Sequence, residues 1–399
     1  MAKMLGGIFL IVGISIGAGI LALPVTTAAS GFIPSTFLLL FCWLFMTFNA
    51  LLILEVNLWL PENSNMISMA GATLGKWGQV VAWVSYLLLL YSLLCAYISA
   101  GADILGSMLV LMHLKLSNAL NVLLFTGLLG LIVYRGTKSI DYVNRALIIM
   151  KMGAFILLLM FTVPYVQSDL MQYKKFSALP STLMVVITSF GFATLVPSLR
   201  NYFNSDAKKL RIVIILGSII PLIFYIFWDG AILGSLPLEG EDGLKAVLAS
   251  GQTTSQLIIA LHHLLNNDMV TSLTRIFSAI CIATSFLGVA LSLSDFLADG
   301  LALKKQGQSV VFIYSFTFIP PLMAVLFYPS LFITALGYAG TYCVILLALL
   351  PVLMVWFGRY HKNKTGPLKM PGGKPILLLS FVVTLMILAI GVHQEFGIF

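Results

Sequence analysis

The stretch Gly13-Ile14-Ser15-Ile16-Gly17-Ala18-Gly19-Ile20-Leu21-Ala22-Leu23-Pro24 sets three glycines within seven residues, inside an apolar run over residues 5–29. Each glycine raises the free energy of a helix by about 1 kcal/mol relative to alanine, and proline removes a backbone donor, so helix is expected to fail around Gly17. A second stretch, Ser189-Phe190-Gly191-Phe192-Ala193-Thr194-Leu195-Val196-Pro197, repeats the pattern: Pro197 follows Gly191 by six residues, as Pro24 follows Gly17 by seven. The two glycines are 174 residues apart.

The surrounding composition says where such breaks can lie. Of 399 residues, 60% are apolar and 9% charged, and the mean hydropathy is +1.04. A water-soluble domain carries roughly 25% charged residues, so a soluble enzyme and a disordered chain are both excluded. An outer-membrane barrel would alternate apolar with polar residues, whereas these runs are continuous. Apolar runs cover residues 5–29, 35–60, 78–112, 119–134, 146–166, 180–200, 212–235, 270–297, 309–327, 331–356 and 375–393. At about 20 residues per crossing, these are eleven expected transmembrane helices in one domain over residues 1–399.

The net charge of +8 is carried between the runs, as loop charge is in a membrane protein and as a nucleic-acid surface is not. With the N-terminus in the cytoplasm, Lys3, Lys76, Arg135, Lys138, Arg145, Lys151, Arg200, Lys208, Lys209, Arg211, Lys304, Lys305, Arg359, Lys362, Lys364, Lys369 and Lys374 fall on the inner side. Only Lys115, Lys174, Lys175, Lys245 and Arg275 fall outside. That asymmetry predicts a cytoplasmic N-terminus and an external C-terminus. Lys3, the first apolar run and Ala28-Ala29-Ser30 also have the outline of a signal peptide, but the run is longer than a typical signal core, and retention is expected. Cys42, Cys95, Cys281 and Cys343 stand singly inside apolar runs and read as packing residues, with no disulfide framework or metal site.

Five runs start from each break and one remains, so an odd number separates the breaks and the second half runs the opposite way through the bilayer. Interrupted helices at matching places in two halves point to a transporter built from inverted repeats, over about 5–166 and 180–356, with an extra helix at 375–393. An unwound segment bares amide N–H groups at the start of one half-helix and carbonyls at the end of the other, with partial charges of opposite sign. Such a pair of breaks suits a zwitterion: a carboxylate on the amides of Ala18, Gly19 and Ile20, and an ammonium on the carbonyls of Ile14, Ser15, Phe190 and Gly191. Close packing by small residues is the alternative for one glycine-rich run, but it does not account for the matching pair. Gly17-Ala18-Gly19-Ile20-Leu21-Ala22 also matches a dinucleotide-binding fingerprint, yet the first acidic residue is Glu55, too distant to serve it.

Several motifs occur together: Gly17 to Pro24, Leu54-Glu55-Val56, Thr188 to Phe192 with Val196-Pro197-Ser198, and Ala283 to Leu291 with Asp295 to Asp299. In this order they resemble the hydroxy/aromatic amino acid permease family, and within it the tyrosine-specific branch, over nearly the whole chain. The resemblance implies a leucine-transporter-like fold of eleven helices with helices 1 and 6 broken. It further implies a place in the bacterial inner membrane and import of aromatic amino acids with protons. Where family members often carry His-Gly after the Gly-Phe of helix 6, this chain has Ala193-Thr194, so no role of that histidine is carried over.

In this fold spans 3, 6, 8 and 10 line the pocket, which makes Tyr91, Tyr97, Phe190, Phe192, Ala193, Thr194, Ser285, Phe286 and Tyr338 candidates for holding an aromatic side chain, beside Gly17 and Gly191 at the breaks. In proton-coupled relatives a span 5 lysine takes the place of a sodium ion, a role that falls here on Lys151, with Thr284 and Ser285 as its span 8 counterparts and Gly288 allowing close approach. Buried in one conformation and wetted in another, such a lysine binds and releases a proton. Its alternative is snorkelling to the inner surface. Glu55, Asp103, Asp229 and Arg275 are gating candidates, Glu55 with an inner cation and the two aspartates with Arg275 at the outer mouth.

Other classes are weaker. No HExxH, GxSxG or paired catalytic aspartates mark a membrane enzyme, no cofactor is called for, and the adjacent His262-His263 do not share a helix face. No repeated filter marks a channel. A sodium-coupled or broader amino acid transporter, and a sensor that binds without transporting, are the remaining alternatives.

Overall fold

A computed structural model describes the backbone of residues 2–135, 137–303 and 305–396; side chains are described for these except 2, 137–146, 148, 395 and 396. Three residues of the charge count, Lys138, Arg145 and Lys304, lie outside the described side chains.

The helices are α1 (Ala2–Ser15), α2 (Gly19–Thr27), α3 (Phe32–Leu58), α4 (Met66–Leu74), α5 (Lys76–Leu111), α6 (Asn118–Tyr134), α7 (Thr137–Thr162) and α8 (Ser168–Met171). They continue as α9 (Leu183–Ser189), α10 (Val196–Tyr202), α11 (Ala207–Ser235), α12 (Leu244–Ala249), α13 (Thr253–Leu265) and α14 (Asp268–Gly300). Last come α15 (Gln308–Phe327), α16 (Leu331–Val344), α17 (Leu350–Tyr360) and α18 (Gly373–Phe396). A 3₁₀ turn, Gly191–Leu195, joins α9 to α10, and a π-helical turn, Ile345–Leu349, joins α16 to α17. Among the described residues eight helices are long and apolar enough to cross a membrane, and the bent pair α1–α2 makes a ninth. Two shorter apolar helices, Asn118–Tyr134 and Ile149–Tyr165, stand beside them.

Local chemistry explains the boundaries. Asp206 caps α11 by accepting from the Lys209 amide at 3.1 Å, and hydrogen bonding from Lys209 holds its carboxyl below the usual carboxylate range. Asn65 and Ser68 form a reciprocal capping box at α4. Helix α7 starts nine residues before the apolar run expected at 146, because helix continues through the polar segment that precedes it. Large apolar side chains such as Phe37, Leu44, Phe227 and Met386 lie on the outside, each at least 60% exposed. In water such a surface would associate; against acyl chains it is the expected one.

Both breaks form where the glycines stand. Chains α1 and α2 meet at 54° across Ile16-Gly17-Ala18, and α9 stops at Ser189 before the 3₁₀ turn that begins at Gly191. The two are brought together: Gly19 lies so close to Ser189 that an added Cβ would stand 3.1 Å from its hydroxyl. Around them pack α3, α5, α11, α14 and α16, the last meeting α9 where Gly340 lies directly against the Met184 backbone.

Candidate functional site

A cavity of about 370 Å³ adjoins both breaks, between α1, α5, α9, the 3₁₀ turn and α14. Its lining extends along Phe9, Leu10, Tyr86, Leu291 and Ser292, toward the end of the bundle that carries the N-terminus of α1 and the start of α5. Of the residues expected at the site, Ile14, Ser15, Tyr97, Gly191, Phe192, Thr194, Thr284 and Ser285 line it. Sequence reasoning missed Tyr86, Thr188, Ser189 and Cys343, which line it as well, as does Gly288. Thr188 and Ser189 adjoin the second break and were within reach of the same argument; nothing in the sequence tells which side of α5 Tyr86 occupies.

Several expectations need correcting. Tyr91 turns to the opposite side of α5 and donates to the Phe316 carbonyl at 2.6 Å. Phe286 packs edge-on against Phe125 at 5.4 Å and parallel to Phe318 at 6.0 Å, away from the cavity. Tyr338, Phe190 and Ala193 are not among the cavity-lining residues; Phe190 packs its ring against Tyr225 at 5.3 Å. Gly288 has no neighbour within 4 Å of where a Cβ would stand, so it widens the cavity and permits no close helix approach.

The backbone groups at the breaks are also differently used. The Ala18 amide donates to Ser285 Oγ at 2.9 Å, and the Ile20 amide to the Gly17 carbonyl at 3.3 Å. Of the three amides expected for a carboxylate, Gly19 alone has no acceptor among the described residues, because Ser285 takes the Ala18 amide and the tight turn takes that of Ile20. An added Cβ at Gly17 would collide with Ser285 Oγ. The Ser15 carbonyl accepts from the Gly17 amide at 2.9 Å and from Tyr225 Oη at 2.5 Å, and the same hydroxyl reaches the Ser189 carbonyl at 2.9 Å.

Lys151 is fully buried. Its Nζ donates to the carbonyls of Gly13 at 3.2 Å and Ile16 at 2.5 Å, the carbonyls that the end of α1 leaves without amide partners. Snorkelling is excluded by this placement. Thr284, in contrast, donates to Ile280 and Cys281 carbonyls of its own helix at 2.9 and 3.1 Å.

The charges expected to meet at the outer mouth do not meet. Asp103 accepts from the Ser255 amide at 2.9 Å and its hydroxyl at 2.5 Å, at the N-terminus of α13. Asp229, fully buried, accepts from Thr27 Oγ1 at 3.0 Å, and Arg275 Nε has no acceptor among the described residues. Each aspartate has a nearer hydroxyl, which satisfies one oxygen without a cation. Glu55 is paired with Arg359, Nε–Oε1 at 2.7 Å and Nη2–Oε2 at 2.5 Å, and also accepts from the Met370 amide at 2.7 Å. His262 lies 3.2 Å from Thr271 Oγ1 and His263 lies 2.9 Å from Asp242, so the two rings serve separate contacts.

Comparison with known proteins agrees with the sequence motifs. The chain is 34% identical over 397 residues to tyrosine-specific transport system 1 of Haemophilus influenzae, covering 98% of this chain and 96% of that protein. It is 32% identical over 401 residues to the tryptophan-specific transport protein of the same organism, covering 97% and 94%. In fold it is similar to a manganese transporter of Eremococcus coleocola, with a TM-score of 0.63 at 12% identity over 99% of this chain and 86% of that one. Residues 1–393 match the tryptophan/tyrosine permease family, a family of membrane transport proteins and not of enzymes, and to that family the chain belongs.

Proposed function

We propose that the protein is a secondary transporter that imports an aromatic L-amino acid, tyrosine first among them, together with a proton across the bacterial inner membrane. The reading takes the chain as eleven crossings, a five-plus-five inverted repeat of the leucine-transporter type with one added helix. Its N-terminus is cytoplasmic and its C-terminus external. On this orientation the cavity opens to the cytoplasm, and the conformation is inward-facing.

One observation carries the proposal: two broken helices meet beside a cavity walled by Tyr86, Tyr97 and Phe192, and a buried lysine holds the carbonyl end of one break. Aromatic walls favour an aromatic ligand by roughly 0.5–1.5 kcal/mol per ring contact beyond area burial. An ammonium at the α1 carbonyls supplies in protein form what a bound cation would supply, which favours protons over sodium as the coupling ion. When water reaches Lys151 in part of the cycle, the lysine can lose its proton and regain it on the other side.

The test is uptake in proteoliposomes with labelled tyrosine, phenylalanine, tryptophan and, as a contrast, glutamine, with and without an inward proton gradient or sodium. Accumulation of an aromatic substrate driven by protons alone is expected. Binding without uptake would make the protein a sensor, and a strict sodium requirement would remove the role of Lys151. Lys151→Ala should abolish accumulation against a gradient while exchange of internal for external substrate persists; unchanged accumulation would contradict its coupling role.

A further inference from the structure

The residue that connects the two breaks is Tyr225, on α11. Its side chain is fully buried, with Phe190 against its ring, and its one hydroxyl lies within hydrogen-bonding distance of a carbonyl from each break, Ser15 at 2.5 Å and Ser189 at 2.9 Å. Those two oxygens therefore stand no more than 5.4 Å apart, the sum of the two distances. A phenol has one proton to donate, so both carbonyls depend on the same group.

The carbonyls next to them in sequence are those of Ile14 and Phe190, the first at the end of α1 and the second at the start of the 3₁₀ turn. Gly13 and Ile16 are held by Lys151, and Ser15 and Ser189 by Tyr225. Each break thus sets one further carbonyl a single residue from the pinned one. An ammonium group carries three donors at about 2.8 Å reach and can bridge two such oxygens only when their spacing is fixed.

We propose that Tyr225 is a positioning residue: its hydroxyl pins the two broken helices at a set distance, and this spacing makes the site selective for a substrate bearing an α-ammonium group. The proposal rests on the transport reading above and adds to it the element that decides between an amino acid and its des-amino analogue. Tyr225 touches no substrate; it acts through the backbone of Ser15 and Ser189. Lys151 holds α1 alone, so removing it does not alter the distance between the breaks.

The experiment measures, on the reconstituted full chain, how well unlabelled L-tyrosine and 3-(4-hydroxyphenyl)propionate each displace labelled L-tyrosine. The ratio of the two inhibition constants does not depend on how much protein is folded. Tyr225→Phe removes only the hydroxyl, and Tyr225→Met, a second variant without it, covers the case in which the first does not fold. Both are expected to lower the preference for the amino acid about tenfold, the scale of one charge-assisted hydrogen bond made imperfect. Phe155→Leu, in the aromatic packing beside α11 and touching neither break, should reduce stability and leave the ratio unchanged. Unchanged ratios in both Tyr225 variants, or an equal fall in Phe155→Leu, overturn the assignment while wild-type selectivity leaves the transport reading intact. Failure of the wild type to bind any aromatic amino acid overturns both.

Discussion

At the scale of single residues, Gly17 shows why this backbone needs glycine. Its φ is unremarkable, and the constraint is space: a Cβ there would run into Ser285 Oγ, the atom that receives the Ala18 amide. Gly17→Ala therefore has to move Ser285 or the turn itself, and either shift misplaces backbone groups around the cavity. The expected result is a fall of at least tenfold in initial uptake rate, since misplacement by about 1 Å can cost a hundredfold in a preorganised site. Thermal unfolding in detergent should change little, because the rest of the core is untouched. A variant with wild-type uptake would show that the turn is not part of the site. The glycine pattern was legible in sequence because breaking a helix is a local act. Its partner Ser285 was legible only by resemblance, and Tyr225 not at all, because nothing local to a tyrosine on an apolar helix says that two carbonyls from other segments converge on it.

At the scale of elements, the C-terminal ends of α3 and α17 are tied by Glu55 and Arg359, whose side chains are 1% and 5% exposed. The pair is separated by 304 residues in sequence, yet Arg359 also reaches the Met370 carbonyl at 2.9 Å, so the loop after α17 is bound into the same knot. Breaking a buried pair by removing one partner typically costs about 3–5 kcal/mol, because the other charge is left without compensation. Glu55→Ala and Arg359→Ala should each lower stability by that order, and the double variant by distinctly less than the sum, measured as a double-mutant cycle in thermal or denaturant unfolding. Additive losses would mean that the two charges are independently solvated. A cation partner for Glu55 was expected from its place near the inner end of its run. Which cation it would be was not legible, since pairing across hundreds of residues depends on how whole helices dock.

At the scale of the whole molecule, hydropathy alone located most of the apolar helices to within a few residues, α7 excepted, and eight helices with one bent pair are long and apolar enough to cross a membrane among the described residues. The side of each helix that faces the cavity was a different matter. Tyr91 and Phe286 were expected at the site, but a helix apolar all round carries no periodic signal to orient it, and both face neighbouring helices. The charges expected at the outer mouth misled for a related reason: Asp103 is taken up by the amide end of α13 and Asp229 by Thr27, so neither needs Arg275 in this conformation. What results is a bundle in which α13 docks on α5 at one end, while the cavity beside the two breaks is lined toward the other end by Phe9, Leu10 and Tyr86. The most direct measurement is an experimental structure of the protein with L-tyrosine bound. The account predicts the α-ammonium between the Ile14 and Phe190 carbonyls, the carboxylate toward the Gly19 amide, and the ring against Tyr97 and Phe192. An amino acid seated elsewhere, or both segments wound as continuous helix through Gly17 and Gly191, would contradict it.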